Sequence, residues 1–371
     1  MSNEIDYSKL SDEQLLELRA QTVKNIAKYD NYQMAIKIRL NSLYGSIGNQ
    51  YFRYYKLENA EAITMSGQVS IRWIEDKLNL YLNSILGTRD KDFIIALDTD
   101  SVYLHLGPIV DTYLNEKNLP TEKIVDILQK IAKDTIEPYI DKSYKELANY
   151  LNAYDQKMHM KREAIADRGI WTAKKRYVLN VWDNEGVRYE SPKLKILGLE
   201  MIKSDTPKVC REMLKEAIKI IMTKEENDVI KYIKNCKTKY FEMEPEQIGI
   251  SKSANNILKY SDNISIYKKK TPIQVRGALL YNHYLNKHNL KHKHSLINNG
   301  EKIKYIYLKV PNIIQEDVIS FISTIPKEFN LKKHIDYERQ FEKTFLNPLE
   351  TILKTIGWKS KQSTSVMSMF E

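Results

Sequence analysis

Residues 93–106, Phe-Ile-Ile-Ala-Leu-Asp-Thr-Asp-Ser-Val-Tyr-Leu-His-Leu, constrain the fold more than any other stretch of the chain. Two apolar runs of strand length, 93–97 and 102–106, flank the polar knot Asp98-Thr99-Asp100-Ser101. Runs of this kind broken by a tight polar turn read as a buried hairpin. Asp98 and Asp100 stand at i and i+2, so in an extended chain their side chains leave on one face. Two carboxylates held close together are costly unless a cation neutralises them. Hard cations such as Mg²⁺ are bound by one or two carboxylates plus substrate phosphates. Taken alone, the D-x-D spacing is met more often in an ordinary Asp-rich turn than at a metal, and a second motif has to decide between them.

The rest of the chain supplies the context. Ser11-Asp12-Glu13-Gln14 reads as a capping box opening a helix, with Leu15, Leu18, Ala20, Val23, Ile26 and Ala27 at helical spacing. A soft break is expected at Tyr29-Asp30-Asn31, then a second helix from about residue 32 to 44, stopped by Gly45. Lys37, Asn41 and Tyr44 fall at i, i+4 and i+7, one face of that helix. A cation, an amide and a phenol on one stripe suit a bound triphosphate, with the ring near a base or sugar; a solvated helix face meets the same spacing. The aromatic and basic segment 49–56 leads into a long Pro-free helix over 58–84. Ile63, Val69, Trp73, Ile74, Leu78 and Tyr81 are its expected core contacts, and Gly67 a close-packing point. Two helices follow, at 121–136 and 139–153, separated by Pro138.

Between 157 and 190 the pattern turns to strands. Residues 157–161 alternate, 162–166 run to a break at Asp167-Arg168-Gly169, and 174–182 alternate again into the turn Asp183-Asn184-Glu185-Gly186. A Lys174-Lys175-Arg176 cluster at a strand mouth would bind phosphates, or be a solvated strand end. Beyond 190 the chain reads as helical and lysine-rich: a helix from Thr206-Pro207 to about 222, another over 226–237, a strand over 301–310 and helices over 315–325 and 345–357. Lys252, Lys259, Lys268, Lys269, Lys270 and Arg276 form a loose basic belt.

Charge sharpens the choice of partner. The 371 residues carry 58 Lys+Arg against 48 Asp+Glu, a formal charge of +10, which favours nucleic acid first and an anionic membrane surface second. The 25 tyrosines interleaved with lysine suit contact with nucleic-acid bases and backbone. Cys210 and Cys236 are too few for a disulfide framework or zinc ribbon and read as small core residues in a reducing compartment. His283, His288, His292 and His294 are interleaved with lysines and read as polar surface. Neither a basic-then-apolar leader pattern nor a run of ~18 apolar residues is present, so a soluble, intracellular protein is expected.

Asp98-Thr99-Asp100-Ser101 between apolar strands, about fifty residues after Lys37-x-x-x-Asn41-Ser42-x-Tyr44-Gly45, resembles the D-T-D-S and K-x-x-x-N-S-x-Y-G motifs of family B (α-like) DNA polymerases. Residues 41–55, Ala62-Ile63-Thr64 with Gly67-Gln68, Lys174-Lys175-Arg176-Tyr177, residues 195–200 and Thr206-Pro207 resemble the T-even bacteriophage replicative members in particular. The likeness covers nearly the whole chain from about residue 11 and thins after about 290.

That resemblance implies an α+β fold: the C-terminal part of the fingers at 1–47, the C-terminal part of a palm with an antiparallel sheet at 48–190, a mainly helical thumb at 191–358 and a clamp-binding tail at 359–371. It implies DNA-directed DNA synthesis by two-metal catalysis on primer–template DNA and dNTP. Asp100 would be the carboxylate shared by two Mg²⁺ ions and Asp98 a supporting one, with Glu163 near the metals. Lys37 would contact the triphosphate, and Asn41 and Tyr44 the nascent pair and sugar. Lys174, Lys175, Arg176 and Tyr177 would hold the primer–template junction. Val366, Met369 and Phe370 resemble the peptide by which such polymerases dock on a sliding clamp.

Two family features are missing from the sequence: the D-x-x-S-L-Y-P-type motif carrying another catalytic aspartate, and the 3′→5′ exonuclease domain. A lone hairpin cannot close a palm core. The N-terminal Met and cap suggest a deliberate start. The expectation is therefore the C-terminal subunit of a split phage polymerase, acting in the host cytoplasm with an N-terminal polypeptide that brings the exonuclease and the remaining metal ligands. The alternative is a non-catalytic, DNA-binding and clamp-recruiting remnant. The joint presence of Asp98, Asp100, Lys37, Asn41 and Tyr44 favours the enzyme, and a gene fragment would make the same biochemical prediction.

Overall fold

The computed structural model describes residues 7–114 and 119–361. The elements in chain order are α1 (Asp12–Ile47), α2 (Leu57–Leu86), β1 (Ile94–Asp98), β2 (Ser101–Leu104), α3 (Gly107–Tyr113), α4 (Thr121–Ile131) and α5 (Glu137–Tyr150). Then come β3 (Ala164–Ala173), β4 (Arg176–Asn184), β5 (Val187–Leu197), α6 (Lys208–Thr223), α7 (Glu226–Phe241), α8 (Pro245–Ile248), β6 (Ile250–Ser253) and α9 (Ile257–Tyr260). Last are β7 (Ser261–Asp262), β8 (Ile266–Tyr267), α10 (Ile273–Lys287), β9 (Lys302–Tyr307), β10 (Val318–Phe321), α11 (Tyr337–Phe341) and α12 (Asn347–Thr355). The architecture is α+β with small antiparallel sheets. Two compact units divide it, Met1–Glu116 with Ile136–Met160, and Lys117–Thr135 with Lys161–Glu371. Among the described residues no helix is long and apolar enough to cross a membrane.

In the first unit the capping box forms. Gln14 N–H donates to Ser11 Oγ at 3.3 Å and Ser11 N–H to Gln14 Oε1 at 3.0 Å. The helix it opens has neither the break expected at 29–31 nor the stop at Gly45; α1 runs through both to a cap at Gly48. A single glycine costs only about 1 kcal/mol in a helix interior, too little to end one that is hydrogen-bonded on both sides. α1 buries no residue, and Leu16, Val23, Ile26 and Leu40 each stay well over half exposed.

α2 buries Ile71, Ile74, Leu78 and Leu82 against α5 and the hairpin. Trp73 Nε1 donates to Ser143 O at 2.9 Å, Tyr81 stacks on Tyr139 at 4.1 Å, and Lys77 pairs with Glu146 at 2.7 Å. Ile63 and Val69, expected in the core, are exposed, and Gly67 approaches nothing. The reason is reach: α5 runs antiparallel to α2 and ends at Tyr150 beside Trp73, so Ile63 and Val69 lie beyond its end, and in the first turn of α2 only Ala60 is buried. Pro138 does not separate two helices with a break. A π segment over 132–136 follows α4 directly, and Pro138 lies in the first turn of α5, where a missing N–H is tolerated.

In the second unit β3, β4 and β5 form an antiparallel meander. Residues 157–163, expected to begin the sheet, lie outside any strand. Their would-be partner ends first, since Asn184 pairs with Ala164 and the chain then turns at Glu185 and Gly186. Both turn residues have positive φ, 52° and 87°, as a two-residue hairpin with right-handed strand twist requires. The break expected at 167–169 is absorbed as register shifts within β3. Gly169 is needed there, because a Cβ would lie 2.5 Å from the Trp171 ring and 2.7 Å from Leu179. β5 extends to Leu197, past the point near 190 where helices were expected to take over.

The remaining core has two parts. Val178, Cys210, Leu214, Ile218, Val229, Phe345 and Leu349 pack β4 with α6, α7 and α12, and both cysteines are buried and free. α10 lies on the β10-β9-β6 sheet so closely that a Cβ on Gly277 would meet Ser320 Oγ at 2.4 Å. Residues 318–321 were expected within a helix but form β10, paired Val318↔Tyr307 through Phe321↔Lys304 and buried throughout. A short, wholly buried apolar run has no period to read; its pairing with β9 decides the conformation.

Candidate functional site

The hairpin forms, with a turn tighter than its sequence suggests. β1 pairs antiparallel with β2, with Asp98 opposite Ser101. Between them Asp100 N–H donates to Asp98 O at 2.6 Å and Thr99 has φ 52°, the pattern of a three-residue γ-turn. Asp98 and Asp100 therefore flank a left-handed residue, and the rule that i and i+2 share a face of an extended strand does not apply. Asp98 is half-buried and Asp100 exposed. Thr99 Oγ1 donates to Asp98 Oδ1 at 3.1 Å, and Ser101 Oγ to Asp98 O at 3.1 Å. The hairpin is less buried than expected: only Ile94 is buried in β1 and nothing in β2. Among the described residues no third strand joins this pair, so its edges and one face lack cover.

Two asparagines on α2 fix where the hairpin starts. Gly87, left-handed at φ 63°, ends α2 with its N–H and that of Thr88 on the Asn83 carbonyl, a Schellman-type stop. The Asn83 amide then donates to Lys91 O at 2.8 Å and accepts from Thr88 Oγ1 at 2.7 Å. One turn earlier, Asn79 accepts the Phe93 N–H at 2.8 Å and donates to Asp92 Oδ1 at 3.0 Å. Sequence reading missed this pair, although Asn-x-x-x-Asn one turn before a helix-ending glycine is a visible signal.

Lys37, Asn41 and Tyr44 lie on α1, on the shared stripe their spacing predicts, and all are exposed. They belong to the same compact unit as the hairpin. Glu163 and the Lys174–Tyr177 cluster belong to the other unit. Glu163 is ion-paired to Lys195 across the sheet. Lys174 and Lys175 form the β3–β4 turn, both exposed, with Lys175 at φ 60°. Arg176 is turned back: its Nη2 donates to both Glu200 carboxylate oxygens at 2.9 and 2.8 Å. Burial alone would raise the Glu200 pKa, but hydrogen bonds from Lys203 and Arg176 outweigh it and hold the carboxyl below the usual range. Tyr177 is 5% exposed, with its ring beside Trp171. Glu200 thus shapes this turn, as does Gly198, where a Cβ would sit 2.1 Å from Lys175 O, a role invisible in the motif because their partners lie some twenty residues away. Val366, Met369 and Phe370 lie outside the described residues.

Chemically, the tip offers two hard carboxylate ligands. Among the described residues no group of three or more His, Cys, Asp or Glu side chains gathers as a metal site. A donor set of two aspartates fits a divalent cation that shares its remaining positions with substrate phosphates and other ligands.

Comparison with known proteins gives a consistent result. The model of DNA polymerase family B matches residues 13–356. The DNA-directed DNA polymerase of Enterobacteria phage T4 is 37% identical over 350 residues, 91% of this chain and 38% of that protein. That of Escherichia phage RB69 is 37% identical over 375 residues, 98% of this chain and 41% of that protein. A DNA polymerase of Thermococcus gorgonarius is 25% identical over 343 residues. The chain thus spans about two fifths of the length of the two phage relatives.

Proposed function

The chain belongs to DNA polymerase family B, and from that premise we propose that it forms the nucleotidyl-transfer half of a phage replicative polymerase, completed by residues it does not itself contain. The observation that carries this reading is the Asp98-Thr99-Asp100 γ-turn, which holds two carboxylates at the tip of a hairpin with an uncovered face. Residues 1–47 act as the C-terminal part of the fingers, 48–190 as palm, 191–358 as thumb and 359–371 as a tail for a sliding clamp.

Asp100 and Asp98 would hold Mg²⁺, Asp100 as the shared ligand. A pair of divalent cations held there supplies activation of the primer 3′-hydroxyl and neutralisation of the leaving pyrophosphate. Lys37 binds the triphosphate as a point charge, while Asn41 and Tyr44, one and two turns along the same stripe, line the sugar and nascent pair. Lys174 and Lys175 meet the backbone of the primer–template junction. Arg176 and Tyr177 serve that contact indirectly, the first anchoring the turn on Glu200 and the second packing beneath it. Lysines of the second unit grip duplex phosphates in a salt-dependent way.

Completion falls to an N-terminal polymerase/exonuclease polypeptide, in the host cytoplasm. Its support is the open face of the β1–β2 pair together with α1, a 36-residue helix that buries nothing. The test is primer extension by the purified chain, alone and mixed with a polypeptide carrying the rest of the family's polymerase region. Extension is expected only in the mixture. There, Asp100→Ala should lower the rate by roughly 10²–10³-fold, the scale for losing one preorganised charge stabiliser. An undiminished rate in Asp100→Ala would leave a DNA-binding remnant; full extension by the chain alone would remove the partner.

A further inference from the structure

Of the eleven non-glycine residues with positive φ among those described, only Thr99 and Ile266 are β-branched. A β-branched residue is the side chain least suited to that region, and strain of this kind persists where the surroundings over-determine it and clusters at functional sites. Glycine or asparagine would relax the turn. What threonine adds is a hydroxyl, and that hydroxyl donates back to Asp98 Oδ1 at 3.1 Å. The preceding carbonyl of Asp98 is clamped as well, by Asp100 N–H at 2.6 Å and by Ser101 Oγ at 3.1 Å.

We propose that Thr99 is a positioning residue for the carboxylate pair, its hydroxyl setting the rotation of the Asp98 carboxylate while its left-handed backbone sets the separation of Asp98 from Asp100. The proposal rests on the polymerase reading above. Thr99 touches no reacting atom; it acts through Asp98. The strained φ is tolerated because the same conformation brings Oγ1 onto Oδ1, so backbone and side chain solve one geometric problem together. A relaxed turn with glycine would remove the Thr99 Oγ1 donor from Asp98 Oδ1 and change the separation of Asp98 from Asp100.

The experiment compares Thr99→Ser, Thr99→Val and Thr99→Gly in the full chain, assembled with the polypeptide that completes the polymerase. The first readout is Mn²⁺ affinity by electron paramagnetic resonance on a complex stalled with a dideoxy-terminated primer and nucleotide. The second is the Mg²⁺ concentration for half-maximal extension. Serine keeps the hydroxyl and should stay near wild type, whereas valine and glycine should weaken Mn²⁺ binding and raise the Mg²⁺ midpoint about ten-fold, the loss of one hydrogen bond to a charged group. Extension at saturating Mg²⁺ should change much less. Glycine removes the strain and so guards against a folding defect in the valine variant. Wild-type Mn²⁺ affinity in both valine and glycine, with Asp100→Ala still inactive, overturns the positioning role and leaves the polymerase reading standing. An Asp100→Ala complex that extends normally overturns both.

Discussion

Asp183 shows what a single residue contributes to the sheet of the second unit. It is 1% exposed on β4, ion-paired to Arg162, 3.3 Å from Arg188 Nε, and accepts the Gly186 N–H at 3.0 Å. Burial would raise its pKa, but these donors outweigh burial and hold it below the ordinary aspartate value. A depressed folded-state pKa gives stability that is present above the unfolded value, near 3.9, and lost as pH falls through the folded one. Urea denaturation should therefore show wild-type stability falling below about pH 4, with a flatter acid limb in Asp183→Asn. At pH 7 that variant should be less stable by about 3 kcal/mol, since two guanidiniums lose a buried partner. At this scale the sequence was readable where a motif is local. The Lys37-Asn41-Tyr44 stripe and the Asp-Thr-Asp turn both stand in the structure. The γ-turn at Thr99 and the Arg176–Glu200 pair were not readable, the first because φ is not written in composition, the second because its partners meet only across the folded sheet.

Among the elements, the β3–β4 turn depends on one approach that only glycine permits. Gly198 has φ 66°, and a Cβ there would sit 2.1 Å from Lys175 O. Gly186, at φ 87°, faces open space. Gly198→Ala should thus cost more than Gly186→Ala, which carries only the left-handed penalty of about 1–2 kcal/mol. Gly198→Ala should also weaken primer–template binding in fluorescence polarisation by displacing Lys174 and Lys175, and Gly186→Ala should not. Elements with a clear start or stop were legible from sequence: the capping box of α1, the Glu185-Gly186 hairpin, the long α2. Those set by neighbours were not. β10 became a strand because β9 offers an edge to pair with, and residues 157–163 failed to become one because β4 turns away at Asn184.

At the scale of the whole chain, a formal charge of +10 predicts a steep fall of duplex affinity with salt. Replacing Lys174 by alanine should flatten the slope of log K against log salt by about one ion, measured by polarisation from low to moderate ionic strength. The same titration on Lys208→Ala tests whether the contact surface extends to the start of α6. Hydrogen exchange offers an independent check on assembly. α1 buries no side chain, so its backbone amides should exchange early in the free chain, and they should slow markedly if the proposed polypeptide binds there. This openness also bears on how much of the protein a cell could keep. An unassembled copy presents 36 helical residues, with Arg19, Lys24, Lys28, Lys37 and Arg39 along them, to any protease that cuts after basic residues. A partner seated on α1, as proposed, would shield part of that helix. If the proposed pairing holds, copies without a partner would be cleared faster than paired ones, and the partner's supply would limit how much of this chain persists.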